Sequence, residues 1–282
     1  NDAQKRKYLP KVMDGTWIGG MGMSEPGAGT DALGMKTKAE RRGDKYILNG
    51  TKMWITNAIV GDVYYVYAKT GPGKKDLSTF IVEKGMKGFT MGNKIHKMGM
   101  RASPTGELIF ENCEVPAENL VGEENGSVKA MIKNLDIERI TIAGISLGIA
   151  RASIASATRY ARERKQFDQP IGNFQMVQKM LADAQAEYEA AKYYCYGVAK
   201  EWDEGLLAGG SSRSSGAKVK LIAAQMATKV ALDAIQILGG YGYTKEFPVE
   251  RYMRDAKLNE IGAGTNEILR VVTAREMLGD MS

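Results

Sequence analysis

Glu107-Leu108-Ile109-Phe110 ends a series of short β-type runs. From Met131 the chain then reads Met131-Ile132-Lys133-Asn134-Leu135-Asp136-Ile137-Glu138-Arg139-Ile140-Thr141-Ile142, with apolar residues every three or four positions. The period changes from strand-like to helix-like near residue 120, and that change decides the fold class. Apolar positions keep the helical spacing over 127–163. Asn173 is placed to cap a second helix running to about Trp202, and Leu206 to Arg213 is a Gly/Ser-rich connection. A third helix runs from about Ser214 to Leu238 and stops at Gly239-Gly240. A fourth follows Gly264. Long helices with short connections predict an antiparallel four-helix bundle.

Upstream, Tyr46-Ile47-Leu48 and Met53-Trp54-Ile55-Thr56 flank Asn49-Gly50, a pair suited to a two-residue hairpin turn. Val63-Tyr64-Tyr65-Val66-Tyr67-Ala68, Ser78-Thr79-Phe80-Ile81-Val82 and Glu107 to Phe110 read as further strands, and Gly71-Pro72-Gly73 as a loop tip. The expected class is α+β. An antiparallel β-barrel or sandwich occupies 1–122, and the helical bundle 123–282. Strands first and helices after oppose a nicotinamide-type Rossmann fold, which alternates them.

Composition narrows the function. The chain has 282 residues, 44% of them hydrophobic, enough for two domains of ordinary size. Its two cysteines, Cys113 and Cys195, form no CxxC pair and fit a reducing compartment. The one histidine, His96, argues against a His-based metal site or triad, so no metal is expected. The net charge of +6 is dispersed, with no basic run of the nucleic-acid type. A mild positive excess suits a phosphate-bearing ligand such as coenzyme A. No unbroken run of 18 apolar residues occurs, so no membrane span is expected. Asn1-Asp2-Ala3-Gln4-Lys5-Arg6-Lys7 is not a signal peptide, and without an initiator Met the chain reads as starting partway through something or as processed.

One residue breaks the helical pattern. Met131, Leu135, Ile142, Ile145 and Ile149 lie along one face, and position 138 on that face is Glu138. Asp136 and Lys133 lie off it, as surface charges do. A buried carboxylate acquires a raised pKa, which a general base near neutrality needs. A buried salt bridge, or a face that runs out to solvent at that point, would give the same pattern. Elsewhere, Gly27 and Gly29 mark either a plain turn or a backbone open to a ligand. Trp54 reads as core or as a cover for a flat ring, and Arg164 as a surface charge or an anion contact.

Met21-Gly22-Met23-Ser24-Glu25-Pro26-Gly27-Ala28-Gly29-Thr30-Asp31 resembles a flavin-binding signature of the acyl-CoA dehydrogenases. Further motifs of that family follow in its order: Trp54-Ile55-Thr56, Arg164-Lys165-Gln166-Phe167 with Phe174-Gln175, Gln236 to Tyr243, Arg254 to Lys257, and Gly264-Thr265-Asn266-Glu267. Together they cover nearly the whole chain. Most members of the family carry the catalytic glutamate where this chain has Ala263. Leu135 to Arg139 together with Gly262-Ala263-Gly264 resembles the isovaleryl-CoA branch, which, like the long-chain branch, takes its base from the earlier helix. The resemblance thus implies Glu138 as the base, with room for a branched acyl chain beside Gly262 and Ala263.

It further implies FAD held by Met21, Met23, Ser24, Gly29, Thr30, Trp54, Ile55, Thr56, Arg164, Phe167, Gln175, Gln236, Leu238, Gly239, Gly240, Thr265, Asn266 and Glu267. Arg164 and Gln175 would reach a pyrophosphate across a dimer interface. Substrate contacts fall to Thr30, Lys129, Asp136, Arg139, Ala263 and Gly264. The implied reaction removes the α proton of an acyl-CoA through Glu138 and its β hydrogen as hydride to the flavin, giving a 2,3-enoyl-CoA. Electrons then pass to electron-transfer flavoprotein. The implied assembly is a homotetramer, a dimer of dimers, in the cytoplasm or the mitochondrial matrix.

Full-length relatives begin with a helical domain of about a hundred residues, of which residues 1–20 match only the end. A base from that domain, another acyl chain length, a silent FAD-holding subunit, or a monooxygenase or nitroalkane oxidase of the same fold stay open at this stage. Those oxidases usually lack the Asp136-x-x-Arg139 pair.

Overall fold

The computed structural model describes residues 1–205 and 213–279. The Gly/Ser-rich connection expected at Leu206 to Arg213 lies outside the described residues, apart from Arg213 at the start of a helix. The chain separates into two compact units, one of Asn1–Lys97 and Arg101–Ile132, the other of Met98–Met100 and Lys133–Ser282.

The first unit opens with helix α1 (Asp2–Met13), whose Asn1 cap is paired with Gln4. Gln4 Nε2 donates to the carbonyls of Glu118 and Leu120, both at 2.8 Å, tying α1 to the sheet unit. The strands are β1 (Gly19–Gly22), β2 (Lys38–Arg42), β3 (Lys45–Thr56), β4 (Val63–Lys69), β5 (Leu77–Glu83), β6 (Phe89–Met91), β7 (Thr105–Pro116) and β8 (Leu120–Val121). Their order is β6-β7-β3-β2-β4-β5-β8, with β1 paired to β4. Most neighbours are antiparallel, as expected, but β1 and β2 each run parallel to β4, so the sheet is mixed.

The expected hairpin at Asn49-Gly50 does not form. β3 runs through both residues and pairs antiparallel with β2 and β7, with a register shift between Leu48 and Gly50. Asn49 stabilises this irregularity: its Oδ1 accepts from the Asn112 N–H at 2.7 Å. The tight turn lies earlier, at Gly43-Asp44, where Arg42 pairs with Lys45 and Gly43 takes φ 64°. A glycine first in a two-residue turn suits the twist of a hairpin. The sheet core packs Tyr46, Leu48, Val66, Phe80, Val82, Leu108, Phe110 and Val115.

The second unit contains most of α2 (Ser127–Glu163), then α3 (Gln175–Asp203), α4 (Arg213–Leu238), α5 (Val249–Asn259) and α6 (Asn266–Leu278), with a small hairpin of β9 (Lys165–Gln166) and β10 (Gln169–Pro170). Among the described residues this unit has five helices, the short α5 joining the four expected ones. The short α5, entered through Pro248, escapes a search for long periodic runs. Asn173 does not cap α3, whose cap position is Phe174; the Asn173 amide donates to Gln169. α5 holds the Met98–Met100 segment: Arg254 Nη1 donates to the Met98 carbonyl at 2.8 Å, and Asp255 accepts the Met100 N–H at 2.6 Å. Gly99 has to be glycine there, because a Cβ would lie 2.2 Å from the Arg254 carbonyl oxygen.

Two helical stretches, Ser127–Glu163 and Ser214–Tyr243, are long and apolar enough to cross a membrane by length and composition. A search for unbroken apolar runs overlooks them because Ser, Thr and Gly are interspersed. Ala143, Leu147 and Ala150 of α2 pack with Val219, Ala223, Ala227 and Val230 of α4 in one bundle core, the ordinary use of such helices.

Candidate functional site

In the first unit the Gly-rich signature folds as a tight turn. Glu25 N–H donates to the Ala28 carbonyl at 3.0 Å, and Ala28 N–H to that of Glu25 at 3.1 Å. A Cβ at Gly27 or Gly29 would meet nothing within 4 Å, so the fold itself does not demand glycine at either position. Met21 lies on β1, Met23 and Ser24 are half-buried, and Gly29 and Thr30 are exposed. A second register shift in β3, between Lys52 and Ile55, puts Trp54 in the left-handed region at φ 66° with 61% of its surface exposed. A bulky non-glycine residue in this conformation is uncommon and points to a functional constraint. An indole held open to solvent fits a flat aromatic ring such as an isoalloxazine, and the exposed Thr56 two residues on adds a hydroxyl. Ile55 differs: its side chain lies in the sheet core and its backbone pairs with Gly106, so it is not a side-chain ligand.

In the second unit Arg164, Leu238, Gly239 and Gly240 line one cleft of about 440 Å³ with Tyr160, Tyr241 and Thr244. The Arg164 guanidinium lies 5.7 Å from the centre of the Tyr241 ring, a cation–π distance. Among the described residues no acid lines this cleft, so the guanidinium suits a phosphate. Phe167 stands at the tip of the β9–β10 turn at φ 52°, 86% exposed, edge-on to Phe174. Gln175 and Gln236 are exposed. These residues are compatible with part of a dinucleotide.

The helix carrying Glu138 departs from its expected faces. Leu135, Glu138, Ile142 and Ile149 are half-buried and Ile145 is 46% exposed. The buried face instead runs through Asp136, Arg139, Ala143, Ser146, Ala150, Ser153 and Ala157. Close helix packing selects small side chains, so the Ala/Ser row faces inward and the isoleucines flank it. Asp136 is therefore not a surface charge. It is 3% exposed, Arg139 is 9% exposed, and Arg139 Nη1 meets Asp136 Oδ1 at 2.9 Å. Arg139 Nε also donates to the Ala263 carbonyl at 3.3 Å. These two residues form an internal brace. Lys129, by contrast, is exposed.

Burial pushes the Glu138 carboxyl above its ordinary value, and the Arg139 charge beside it opposes that shift. The loop held by Arg139 is bent: Ala263 takes φ 52° and Gly264 φ 93°. A further cation, which the sequence reading did not single out, holds the same loop. Lys220 is fully buried and donates to the Gly264 carbonyl at 2.8 Å and to Asn266 Oδ1 at 3.3 Å. Desolvation, with Arg139 adding to it, lowers its pKa to about 8. Its signal was legible: Ala217, Lys220, Ala224, Ala227 and Ala231 share one helical spacing. Asn266 is thus an interior partner of Lys220. The Thr265 hydroxyl caps α6 by accepting the Ile268 N–H, and Glu267 is exposed in the first turn. No group of side chains suited to a metal ion occurs among the described residues.

The sheet unit keeps a tryptophan face bare, which suits a flat aromatic ring, and the helical unit by itself carries a half-buried carboxylate and a cleft suited to a phosphate. Residues 20–113 match the protein-family model "Acyl-CoA dehydrogenase, middle domain", and 126–278 match "Acyl-CoA dehydrogenase, C-terminal domain". The chain belongs to the acyl-CoA dehydrogenase family, whose members are FAD flavoproteins. It is 48% identical to mitochondrial isovaleryl-CoA dehydrogenase of Pongo abelii, over 99% of this chain and 66% of that protein. It thus spans about two thirds of that relative's length. Butyryl-CoA dehydrogenase from Megasphaera elsdenii superposes with a TM-score of 0.95 at 42% identity, covering 99% of this chain and 73% of that one. A chain from a structure of the electron transferring flavoprotein of Acidaminococcus fermentans gives a TM-score of 0.95 at 46% identity, with the same coverage.

Proposed function

We propose that this chain carries the cofactor- and substrate-handling part of an FAD-dependent acyl-CoA dehydrogenase that converts a short branched acyl-CoA, such as isovaleryl-CoA, to its 2,3-enoyl-CoA. The observation that carries this reading is the pairing of a non-ionisable residue, Ala263, with a half-buried carboxylate on the helix that braces its loop. Glu138 then takes the role that a glutamate at position 263 plays in most of the family. The similarity to named isovaleryl-CoA dehydrogenases supports the branched substrate.

Glu138 removes the α proton, and its elevated pKa makes it a better base near neutrality than an ordinary carboxylate. Arg139 and Lys220 hold the 263–264 carbonyls inward. The backbone N–H groups of that loop are thereby left to polarise the thioester carbonyl, the logic of an oxyanion hole. Met21, Met23, Ser24, Thr30, Trp54 and Thr56 would hold a flavin ring, and Arg164 and Gln175, with Gly239-Gly240 beside Arg164, would reach a pyrophosphate across a dimer interface. When bound, FAD would supply the hydride acceptor for the β hydrogen, with electron-transfer flavoprotein as the onward electron acceptor. Exposed Phe167, Met176 and Tyr243 supply apolar surface for a homotetramer. Relatives include mitochondrial and bacterial proteins, which fits the matrix or the cytoplasm.

The test is anaerobic bleaching of the bound flavin by a panel of acyl-CoAs. Isovaleryl-CoA should bleach fastest. A win for octanoyl- or palmitoyl-CoA overturns the substrate assignment, and a preparation that binds no FAD overturns the function.

A further inference from the structure

The first unit buries a second cation with no assigned task. Lys52, on β3 two residues before Trp54, has no exposed surface. Its ammonium donates to Glu25 Oε1 at 2.8 Å and to the Met23 carbonyl at 3.1 Å, and lies 3.5 Å from the Met35 sulfur. The Glu25 carboxylate also accepts the backbone N–H groups of Lys36 at 2.6 Å and Thr37 at 2.9 Å. A buried ion pair of this kind is a weak source of stability, because apolar residues of similar volume usually do as well. What apolar residues cannot do is hold backbone carbonyls.

Both carbonyls at the centre of the loop are held in this way. The Met23 carbonyl faces Lys52, and the Ser24 carbonyl accepts the Met53 N–H at 2.8 Å. Both partners belong to β3. In a trans peptide the N–H points opposite to the C=O, and the described chain has no cis peptide bond. The Ser24 N–H, which shares a peptide with the Met23 carbonyl, therefore points away from the Lys52 ammonium, and the Glu25 N–H points away from the Met53 N–H. Ala28 takes the Glu25 donor at 3.0 Å. Among the described residues no acceptor takes the Ser24 donor. A half-buried N–H with no protein acceptor needs a partner from outside.

We propose that Lys52 is a positioning residue for the cofactor: paired with Glu25, it turns the Met23 carbonyl inward and so presents the Ser24 N–H as a hydrogen-bond donor to the flavin ring. The assignment rests on the reading of Met21 to Thr30 as the flavin loop. It adds two residues, Lys52 and Glu25, that act through the loop and do not touch the flavin.

The test uses apo protein reconstituted with FAD, comparing the wild type, Lys52→Met, and the double variant Lys52→Met with Glu25→Gln. The double variant leaves no unpaired buried charge, but its amide has one acceptor oxygen for the Lys36 and Thr37 N–H groups, so it should fold with a melting temperature below the wild type and above Lys52→Met. Both variants should bind FAD roughly tenfold more weakly, the scale of one lost hydrogen bond, and their bound flavin spectrum should shift toward that of free FAD. Lys87→Met, at an exposed lysine, should change neither. In the wild type, the Ser24 amide should gain protection from hydrogen exchange when FAD binds. A folded double variant with wild-type affinity and spectrum overturns the proposal. So does a Ser24 amide that FAD leaves unprotected, even if neither variant folds. Wild-type protein that binds no FAD instead overturns the flavin-loop reading itself.

Discussion

Arg139 Nε donates to the carbonyl oxygen of Ala263 at 3.3 Å, joining α2 to a loop 124 positions later in the chain. The same guanidinium meets Asp136 at 2.9 Å, so the residue beside the candidate base also braces the loop at Ala263. Arg139→Ala removes a buried partner of Asp136 and releases that carbonyl. It should lower stability by about 3 kcal/mol, the usual scale for breaking a buried ion pair, as read by thermal unfolding. Arg139→Met with Asp136→Asn should recover much of that loss. Equal losses in the two variants would show that the charge pair is not what matters.

Glu138→Gln keeps the size and polarity of the side chain and removes the base. Turnover should fall by roughly a hundredfold to ten-thousandfold, the contribution of a positioned general base, while FAD binding stays as in the wild type. Appreciable dehydrogenation by this variant, followed by flavin bleaching, would end the assignment.

The pH profile has a definite sign. Burial raises the Glu138 pKa above 4.5, with Arg139 opposing. The base works only when ionised, so kcat/KM should fall as pH drops through a midpoint above 4.5. The same shift makes Glu138 bind its proton more tightly in the folded state. Its contribution to stability is therefore greatest at low pH and declines as pH rises from 4.5 through the raised value. Glu138→Gln should remove that slope from a denaturation series.

Ala263 sits at φ 52°, a region that costs an alanine about 1–2 kcal/mol. Ala263→Gly should therefore leave the melting temperature unchanged or slightly raised, because relieved strain offsets the extra freedom of the unfolded chain. Ala263→Val, β-branched, should lower it. Equal effects of the two substitutions would mean the backbone there is not strained.

The two thiols are shielded. Burial pushes Cys113 up to about 12 and Cys195 to about 11. Neither should react with a thiol reagent at pH 8 in the native protein, and both should react once it is denatured. Rapid native labelling at either would show that its unit opens locally.

Much of the candidate site was legible because its motifs are local. Met21 to Thr30 and Trp54 to Thr56 are continuous stretches whose order along the chain survives any fold. Face assignments were less secure. Ile142, Ile145 and Ile149 outline a helical stripe in sequence, but the inward face goes to Ala143, Ser146 and Ala150, because the neighbouring helices pack close. Asp136 was misread as a surface charge for the same reason. Asn49-Gly50 carries a strong turn signal, yet strands on both sides hold β3 straight through it.

The sequence by itself determined the family and the order of a sheet unit and a helical unit. Those conclusions need only residue identity and spacing. Tertiary structure alone decided which charges are interior. Lys52 meets Glu25 across 27 positions, Lys220 meets Asn266 across 46, and Arg139 meets Ala263 across 124. Each cation is stable in the interior only because the folded chain brings an acceptor to it, and spacing along one element cannot name a partner on another.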